Sequence, residues 1–329
     1  MAIFRFEVKI IGRADKTHGR SVVAAAAYRS GSKLRDEKYS KTHDYSRRAA
    51  GIVHSEIVTP EGSPGWLRCD SRRGANYDES QVRAALWNTI EAIEDTHNRR
   101  DTARLSREFV LALPWELTRE QRRALVMGFV RGELVSQGMV ADVAIHEPKQ
   151  GKNFHTHILT TLRPLSAEGF GQKAREWDKK ELLVHWRKAW ATAVNDALES
   201  AGHPGRVDYR SLADQGLDRL PQPKIGVAAS ALERKGIATD RGKASRLTAM
   251  KNHVLPHMRD IERYGEVQHE GIGAHWWERA QVAIRHMQHA GGDLPGEGTT
   301  GGNSGAAAPR WQQHISGQRD GDTGPQRGR

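Results

Sequence analysis

The sequence predicts an α+β fold in which a mostly antiparallel central sheet is flanked by helices. Strand-like runs occur at residues 3–11, 52–58 and 105–113, and the first of them alternates between apolar and charged side chains. Segments with helical periodicity lie between these runs, but without the regular spacing of βαβ units. This order favours an antiparallel sheet with helices packed on it.

The first strand, over residues 3–11, leads through a polar turn into a short helix. Ser21 is expected to cap this helix, which carries four consecutive alanines and ends near Ser32. Small side chains allow such a helix to approach a sheet or a ligand closely. A second strand over residues 52–58 is expected to pair with the first.

Two further helices surround the strand at residues 105–113. The earlier one begins at Asp78 or Ser80 and is amphipathic up to about residue 97. The later one opens with a capping box, Thr118 and Gln121, and is expected to close near residue 138.

The net charge of +11 predicts a polyanionic partner, with nucleic acid the first candidate and an acidic membrane surface the second. The longest apolar run, at residues 22–27, is far too short to cross a bilayer. The amino terminus has a strand pattern rather than that of a signal peptide. The single cysteine, Cys69, excludes an intrachain disulfide and a multi-cysteine zinc cluster. A cytoplasmic location is therefore expected.

A basic stretch over residues 29–48 is interleaved with Tyr39 and Tyr45. Cations mixed with aromatic rings suit single-stranded DNA, although a solvated loop is the ordinary explanation for such a run. The predicted DNA-binding residues of this stretch are Arg29, Lys33, Arg35, Lys41, Arg47 and Arg48.

Residues 139–163 predict two strands joined by a loop, and three histidines lie near the inner ends of these strands. His155 and His157 point to the same side of their strand, and a hairpin brings His146 beside them. Three converging imidazoles predict a divalent metal site with open coordination positions. Packing or surface histidines are the alternative. Asp142 shares the face of His146, so it could orient a ligand imidazole, or it could be a solvated charge.

The loop over residues 163–180 follows the histidines and is rich in glycine and cations. Its Lys173 and Arg175 are expected to close over DNA at the metal face. After it, tryptophans recur at helical spacing over residues 180–201 and predict an amphipathic helix whose indoles belong to the core.

Several motifs resemble, in the same order, those of the MobA/MobL relaxases, the DNA-nicking enzymes of mobilisable and conjugative plasmids. The resemblance covers roughly residues 1–225, and Phe154 departs from it where relatives often carry proline. The matching stretches are residues 25–31 around Tyr28, residues 41–45, Arg107 with Glu108, residues 112–118, the order of His146, His155 and His157, and residues 175–177.

The resemblance implies an activity and roles for particular residues. Tyr28 would attack DNA and remain joined to its 5′ phosphate, with a divalent metal, Mg or Mn, on the three histidines. Glu108 would aid a histidine or take the tyrosine proton. Tyr39 and Tyr45 are rival nucleophiles, and Tyr45 has His43 and Asp44 beside it.

The partners implied are single-stranded or hairpin DNA at a transfer origin, accessory mobilisation proteins and a type IV coupling protein. Two alternatives stay open at this point. One is a protein that binds a DNA hairpin without cutting it. The other is a replication initiator or transposase that uses the same chemistry.

The sequence predicts three regions. Residues 1–224 form the nicking domain, and residues 225–290 form a helical appendage with helices at 227–234, 244–263 and 275–290. Residues 291–329 are predicted to be a disordered tail, because 11 of these 39 residues are glycine and few are apolar.

Overall fold

A computed structural model describes residues 3–14, 21–67, 78–98, 100–147 and 153–267, with side chains up to residue 254 except that of Val227. The chain divides into two compact units, residues 1–248 and 249–329. The second unit is described only up to residue 267, where it is helical. The predicted helix at 275–290 and the predicted tail at 291–329 lie outside the described residues.

Nine strands and six α-helices make up the described part of the chain. The strands are β1 (Phe6–Gly12), β2 (Lys33–Asp36), β3 (Lys41–Asp44), β4 (Ile52–Val58), β5 (Arg104–Ala112), β6 (Ala141–His146), β7 (His155–Thr161), β8 (Leu165–Ser166) and β9 (Gly169–Phe170). The helices are α1 (Val22–Ser30), α2 (Glu79–Asp95), α3 (Arg119–Phe129), α4 (Lys180–Ser200), α5 (Val227–Arg234) and α6 (Asp240–Val267). None of the described helices is both long and apolar enough to cross a membrane.

Five strands form the central sheet in the order β1-β5-β7-β6-β4, and every neighbouring pair is antiparallel. The predicted α+β class is thus confirmed. The predicted pairing of the first two sheet strands is wrong, because β1 and β4 lie at opposite edges of the sheet. The strands β5, β7 and β6, which come later in the chain, separate them.

Each face of the sheet is covered by two helices. One core lies under α1 and α2 and includes Val22, Leu86, Trp87 and Leu159. The opposite core lies under α3 and α4 and is rich in aromatic side chains, which meet edge to face. Its members include Phe109, Phe129, Ile158, Trp186 and Trp190. The prediction that the α4 tryptophans belong to the core is confirmed.

The ends of α1 follow from local chemistry. The Ser21 side chain accepts a hydrogen bond from the Ala24 amide, as predicted for an N-cap. The helix ends at Ser30, two residues before the predicted end, and its C-cap Gly31 is left-handed with φ of 63°. A side chain there would also meet Ile52 at 2.7 Å. The helix therefore stops right after Tyr28 and Arg29.

The two later helices start at their predicted caps. Asp78 caps α2, and Thr118 and Gln121 form the capping box of α3. The α3 helix does not continue regularly to Gly138, because a π-helical turn at Val130–Leu134 and a 3-10 turn at Val135–Gln137 follow it.

Two regions differ from the simple loops that the sequence suggested. The basic stretch contains a hairpin of β2 and β3, whose Leu34 is buried in the core below α1. A 3-10 turn at Ser46–Gly51 then leads into β4. The loop after β7 forms the small hairpin of β8 and β9 and a 3-10 turn at Arg175–Asp178.

Candidate metal and nucleophile site

The histidine hairpin exists as predicted and brings the three rings together. His146 at the end of β6 pairs directly with His155 at the start of β7, and His157 follows on the same face. The three ring centroids lie 5.0 to 5.2 Å apart. One nitrogen from each ring lies within 4.8 Å of the other two, so the group has the spacing of a possible metal site.

Each imidazole also has one nitrogen bonded to an oxygen. His146 Nε2 is 2.7 Å from the carbonyl of Arg29, and His155 Nδ1 is 2.8 Å from the carbonyl of Asn153. His157 Nδ1 is 2.6 Å from the Glu108 carboxylate. Because these oxygens can only accept, the bonded nitrogen carries the proton and a neutral ring keeps its other lone pair. Such partners are typical of histidines that bind metals.

The protonation of these histidines suits cation binding. Burial, with help from nearby His157, lowers the pKa of His146 to about 4. Burial also lowers the pKa of His155. Both rings are therefore neutral near pH 7, and their lone pairs are available to a metal.

Glu108 on β5 accepts hydrogen bonds from two residues of the site, His157 and Arg29. Burial alone would raise the pKa of this carboxyl, but hydrogen bonds from His157 and Arg29 outweigh burial and lower it to about 2. A carboxylate with so low a pKa is a poor proton acceptor at neutral pH. Of the two roles predicted for Glu108, the geometry favours orienting a histidine over taking the tyrosine proton.

Arg29 ties α1 to the histidines in two ways. Its carbonyl bonds His146, while its guanidinium donates to Glu108 through Nε at 2.5 Å and Nη2 at 2.8 Å. The Arg29 side chain is only 12% exposed, so it faces the sheet and not a DNA ligand in solvent. Sequence reasoning missed this pairing because 79 residues separate its members. The sole local hint is that both residues stand in motifs shared with the relaxases.

Tyr28 lies in the last turn of α1, directly before the residue that contacts His146. Its side chain is 40% exposed. The Tyr45 ring meets it edge to face at 5.3 Å, and the Arg48 guanidinium lies 4.0 Å from its ring centroid. Tyr39 lies in the turn between β2 and β3, with the Lys38 amine 5.8 Å from its ring.

The remaining cations of the basic stretch surround the end of α1. They are exposed, with Lys33, Arg35 and Lys41 on the hairpin and Arg47 and Arg48 on the 3-10 turn. The buried Leu34 fixes the hairpin against the core below α1. A positive surface therefore adjoins Tyr28.

Lys173 and Arg175 do not lie at the metal face, contrary to the prediction. The Lys173 amine bonds the carbonyl of Arg104, the first residue of β5. His157 pairs with Val110, six residues further along β5. At about 3.3 Å per residue the two places are about 20 Å apart along the strand. The hairpin of β8 and β9 turns the loop back to the strand ends remote from the histidines.

Asp142 is fully buried, and its carboxylate is bound by α2. Arg83 Nε lies 2.9 Å and 3.0 Å from the two carboxylate oxygens, and the Trp87 indole donates at 2.9 Å. The carboxylate is thus engaged by Arg83 and Trp87 in place of the predicted histidine partner. Asp142 fixes α2 on the same face of the sheet that carries the histidines.

Comparisons with known proteins identify relatives of the chain. The family model described as the MobA/MobL family matches residues 20–235. The chain is 37% identical over 256 residues to the conjugal transfer protein TraA of Agrobacterium fabrum, covering 71% of this chain and 22% of that protein. It is 34% identical over 268 residues to the mobilization protein MobL of Acidithiobacillus ferridurans, covering 71% of this chain and 65% of that one. The chain therefore spans less than two thirds of the length of these relatives.

A solved structure described as "Molecular Basis of Vancomycin Resistance Transfer in Staphylococcus aureus" has a similar fold. The match covers 64% of this chain and 100% of that chain, with 29% sequence identity and a TM-score of 0.52. Together with the family match over residues 20–235, this similarity leads to one conclusion. The chain belongs to the MobA/MobL family.

Proposed function

We propose that the chain nicks and rejoins one DNA strand at a plasmid transfer origin, through a covalent bond between Tyr28 and the 5′ phosphate. The observation that carries this proposal is the convergence of His146, His155 and His157 beside the turn of α1 that bears Tyr28. Relatives named for conjugal transfer and mobilization support the same process.

The three histidines would hold a divalent cation, with Mg²⁺ or Mn²⁺ as the candidates. Imidazole alone favours softer ions than Mg²⁺, but phosphate oxygens and water would complete the ligand shell. When bound, the cation would neutralise charge that develops on the scissile phosphate. The chain contributes the oxygens of Arg29, Asn153 and Glu108, which accept hydrogen bonds from the rings and fix their tautomers.

The covalent step exchanges one phosphodiester for another. The Tyr28 oxygen forms a bond to phosphorus, the bond from phosphorus to the 3′ oxygen breaks, and the phenol proton is replaced by one on the leaving 3′ hydroxyl. A tyrosine in water has a pKa of about 10, so only about one in a thousand is ionised at neutral pH. The Arg48 guanidinium lies 4.0 Å from the Tyr28 ring centroid and would place positive charge beside the reacting phosphate. The reverse reaction rejoins the strand.

Single-stranded or hairpin DNA would reach Tyr28 over the positive surface beside α1. Phosphates would contact Lys33, Arg35, Lys41 and Arg47, which are exposed there. Unstacked bases suit the exposed rings of tyrosines. Accessory mobilisation proteins and a type IV coupling protein are proposed as further partners.

A cleavage assay tests the proposal. A labelled single-stranded oligonucleotide with the transfer-origin nick site is incubated with Mn²⁺, and products are separated on a denaturing gel. We expect cleavage by the wild type, none with Tyr28→Phe or with chelator, and wild-type cleavage with the matched control Tyr209→Phe. Tight binding without cleavage under any metal would favour a non-cutting hairpin-binding protein. Cleavage restricted to a replication origin or an element end would favour an initiator or transposase.

A further inference from the structure

An open cleft of about 910 Å³ lies at the end of the sheet remote from the histidines. It is formed by the end of α2, the start of β5 and the loop between β7 and α4. Four cations and two carboxylates carry its chemistry, and these are Arg104, Arg163, Lys173, Arg175, Glu94 and Asp178. A volume of this size can accommodate a nucleotide or a short stretch of backbone.

The two carboxylates of the cleft are each shared by two cations. Glu94 accepts from Arg163 Nε at 2.9 Å and from the Lys173 amine at 2.6 Å. Since one carboxylate neutralises only one of two cations, this group keeps an excess positive charge. Glu94 and Arg163 are almost fully buried, so the group is built into the wall of the cleft.

Asp178 is shared in the same way. Arg104 binds it at 2.7 Å and Arg107 binds it at 2.5 Å. Arg107 itself is only 4% exposed and is not one of the residues that line the cleft. Arg175 adds an exposed guanidinium at the same rim. The cleft is thus lined by four cations against two carboxylates and keeps an excess of positive charge.

We infer that this cleft binds the phosphate backbone of DNA at a second contact, distinct from the histidine site. The inference rests on the proposed function, since the DNA must also engage Tyr28. Arg104 and the residue that pairs with His157 are about 20 Å apart along β5. Backbone phosphates of duplex DNA advance about 3.4 Å per step, so about six steps of a stem span this distance. An extended single strand spans it in fewer.

Binding of oligonucleotides of increasing length tests the inference. Fluorescein-labelled strands start from the nick site and are extended on either side, and anisotropy is measured with chelator present to prevent cleavage. One series extends as a single strand, and the other as a hairpin stem, so the two series separate the two possible sources of phosphate. We expect wild-type affinity to rise tenfold or more once an extension exceeds about 20 Å.

The variant Arg175→Ala should reduce that gain on extension to threefold or less and lower the salt slope by about one. The matched control is Arg131→Ala, which removes one exposed arginine from the far side of the sheet and should keep the wild-type gain. A gain that is the same in both variants, or affinity that never rises with length, would overturn the cleft as a DNA contact. Cleavage of the shortest strand by the wild type is scored separately, so failure of the proposed function is recognised independently.

Discussion

Replacing Arg29 by methionine removes the charge that joins α1 to the histidine site while it keeps most of the buried side-chain volume. The Arg29 guanidinium makes two hydrogen bonds to Glu108, and the carboxylate is 2% exposed. The pKa of Glu108 falls from 4.5 to about 2 through His157 and Arg29. At about 1.4 kcal/mol per pKa unit this is a net stabilisation of about 3 kcal/mol.

His157 and Arg29 provide this stabilisation together. We expect Arg29→Met to lower the free energy of unfolding by about 3 kcal/mol at pH 7, the low end of the cost of breaking a buried ion pair. Loss of one partner of a buried ion pair costs about 3–5 kcal/mol, because the other charge stays buried without compensation. Combining it with Glu108→Gln removes that charge and should recover about 2 kcal/mol. Urea unfolding followed by tryptophan fluorescence, with chelator present, measures all four proteins of the cycle.

The same variants also test whether Arg29 and Glu108 position the His157 ring, separately from their effect on the stability of the fold. Without Arg29 or with Glu108→Gln, the orientation of the His157 ring is less fixed, so Mn²⁺ affinity should fall about 10- to 100-fold at temperatures where the variant is folded. The reasoning is refuted if Arg29→Met unfolds within 0.5 kcal/mol of wild type, or if the two substitutions are additive.

Three further predictions concern the same face of the sheet. The folded pKa of Glu108 lies below its unfolded value, so the stabilisation that this carboxylate gives is present above about pH 5 and is lost as the pH falls toward 2. In Glu108→Gln the free energy of unfolding should therefore depend less on pH between about 5 and 2. A pH dependence equal to that of the wild type would contradict this prediction. Asp142→Ala leaves the buried Arg83 guanidinium short of its carboxylate, so thermal unfolding should show a loss of about 3–5 kcal/mol, whereas a loss below 1 kcal/mol would mean that Glu79 suffices. His157→Ala should abolish Mn²⁺ binding in calorimetry, while the exposed His185→Ala should bind as wild type.

Local chemistry explains which parts of this fold were predictable. The caps at Ser21, Asp78 and Thr118 depend on residues within one turn, and the histidine hairpin depends on alternation along two strands joined by a short loop. Because side chains alternate between the two faces of a strand, His155 and His157 lie on the same face independently of the rest of the chain. These elements could therefore be predicted from neighbouring residues alone.

The remaining features depend on residues that meet only after folding. Arg83 is 59 residues from Asp142, and no local pattern distinguishes it from the other arginines of the chain. Strand order has the same character, because alternation predicts that β4 is a strand but not which edge it occupies. The positions of Lys173 and Arg175 follow from the small hairpin of β8 and β9. The glycine-rich sequence of this segment predicted an open loop and gave no sign of the hairpin.

The identity of the nucleophile is the central claim, and peptide mapping of the covalent DNA adduct tests it most directly. Trypsin cuts after lysine and arginine, so Tyr28, Tyr39 and Tyr45 fall on separate peptides, residues 21–29, 39–41 and 42–47. After reaction with Mn²⁺ and nuclease trimming, mass spectrometry should find the nucleotide on the peptide of residues 21–29. A nucleotide on either of the other two peptides would contradict the assignment of Tyr28, and an adduct that forms equally well in chelator would contradict the role given to the histidines.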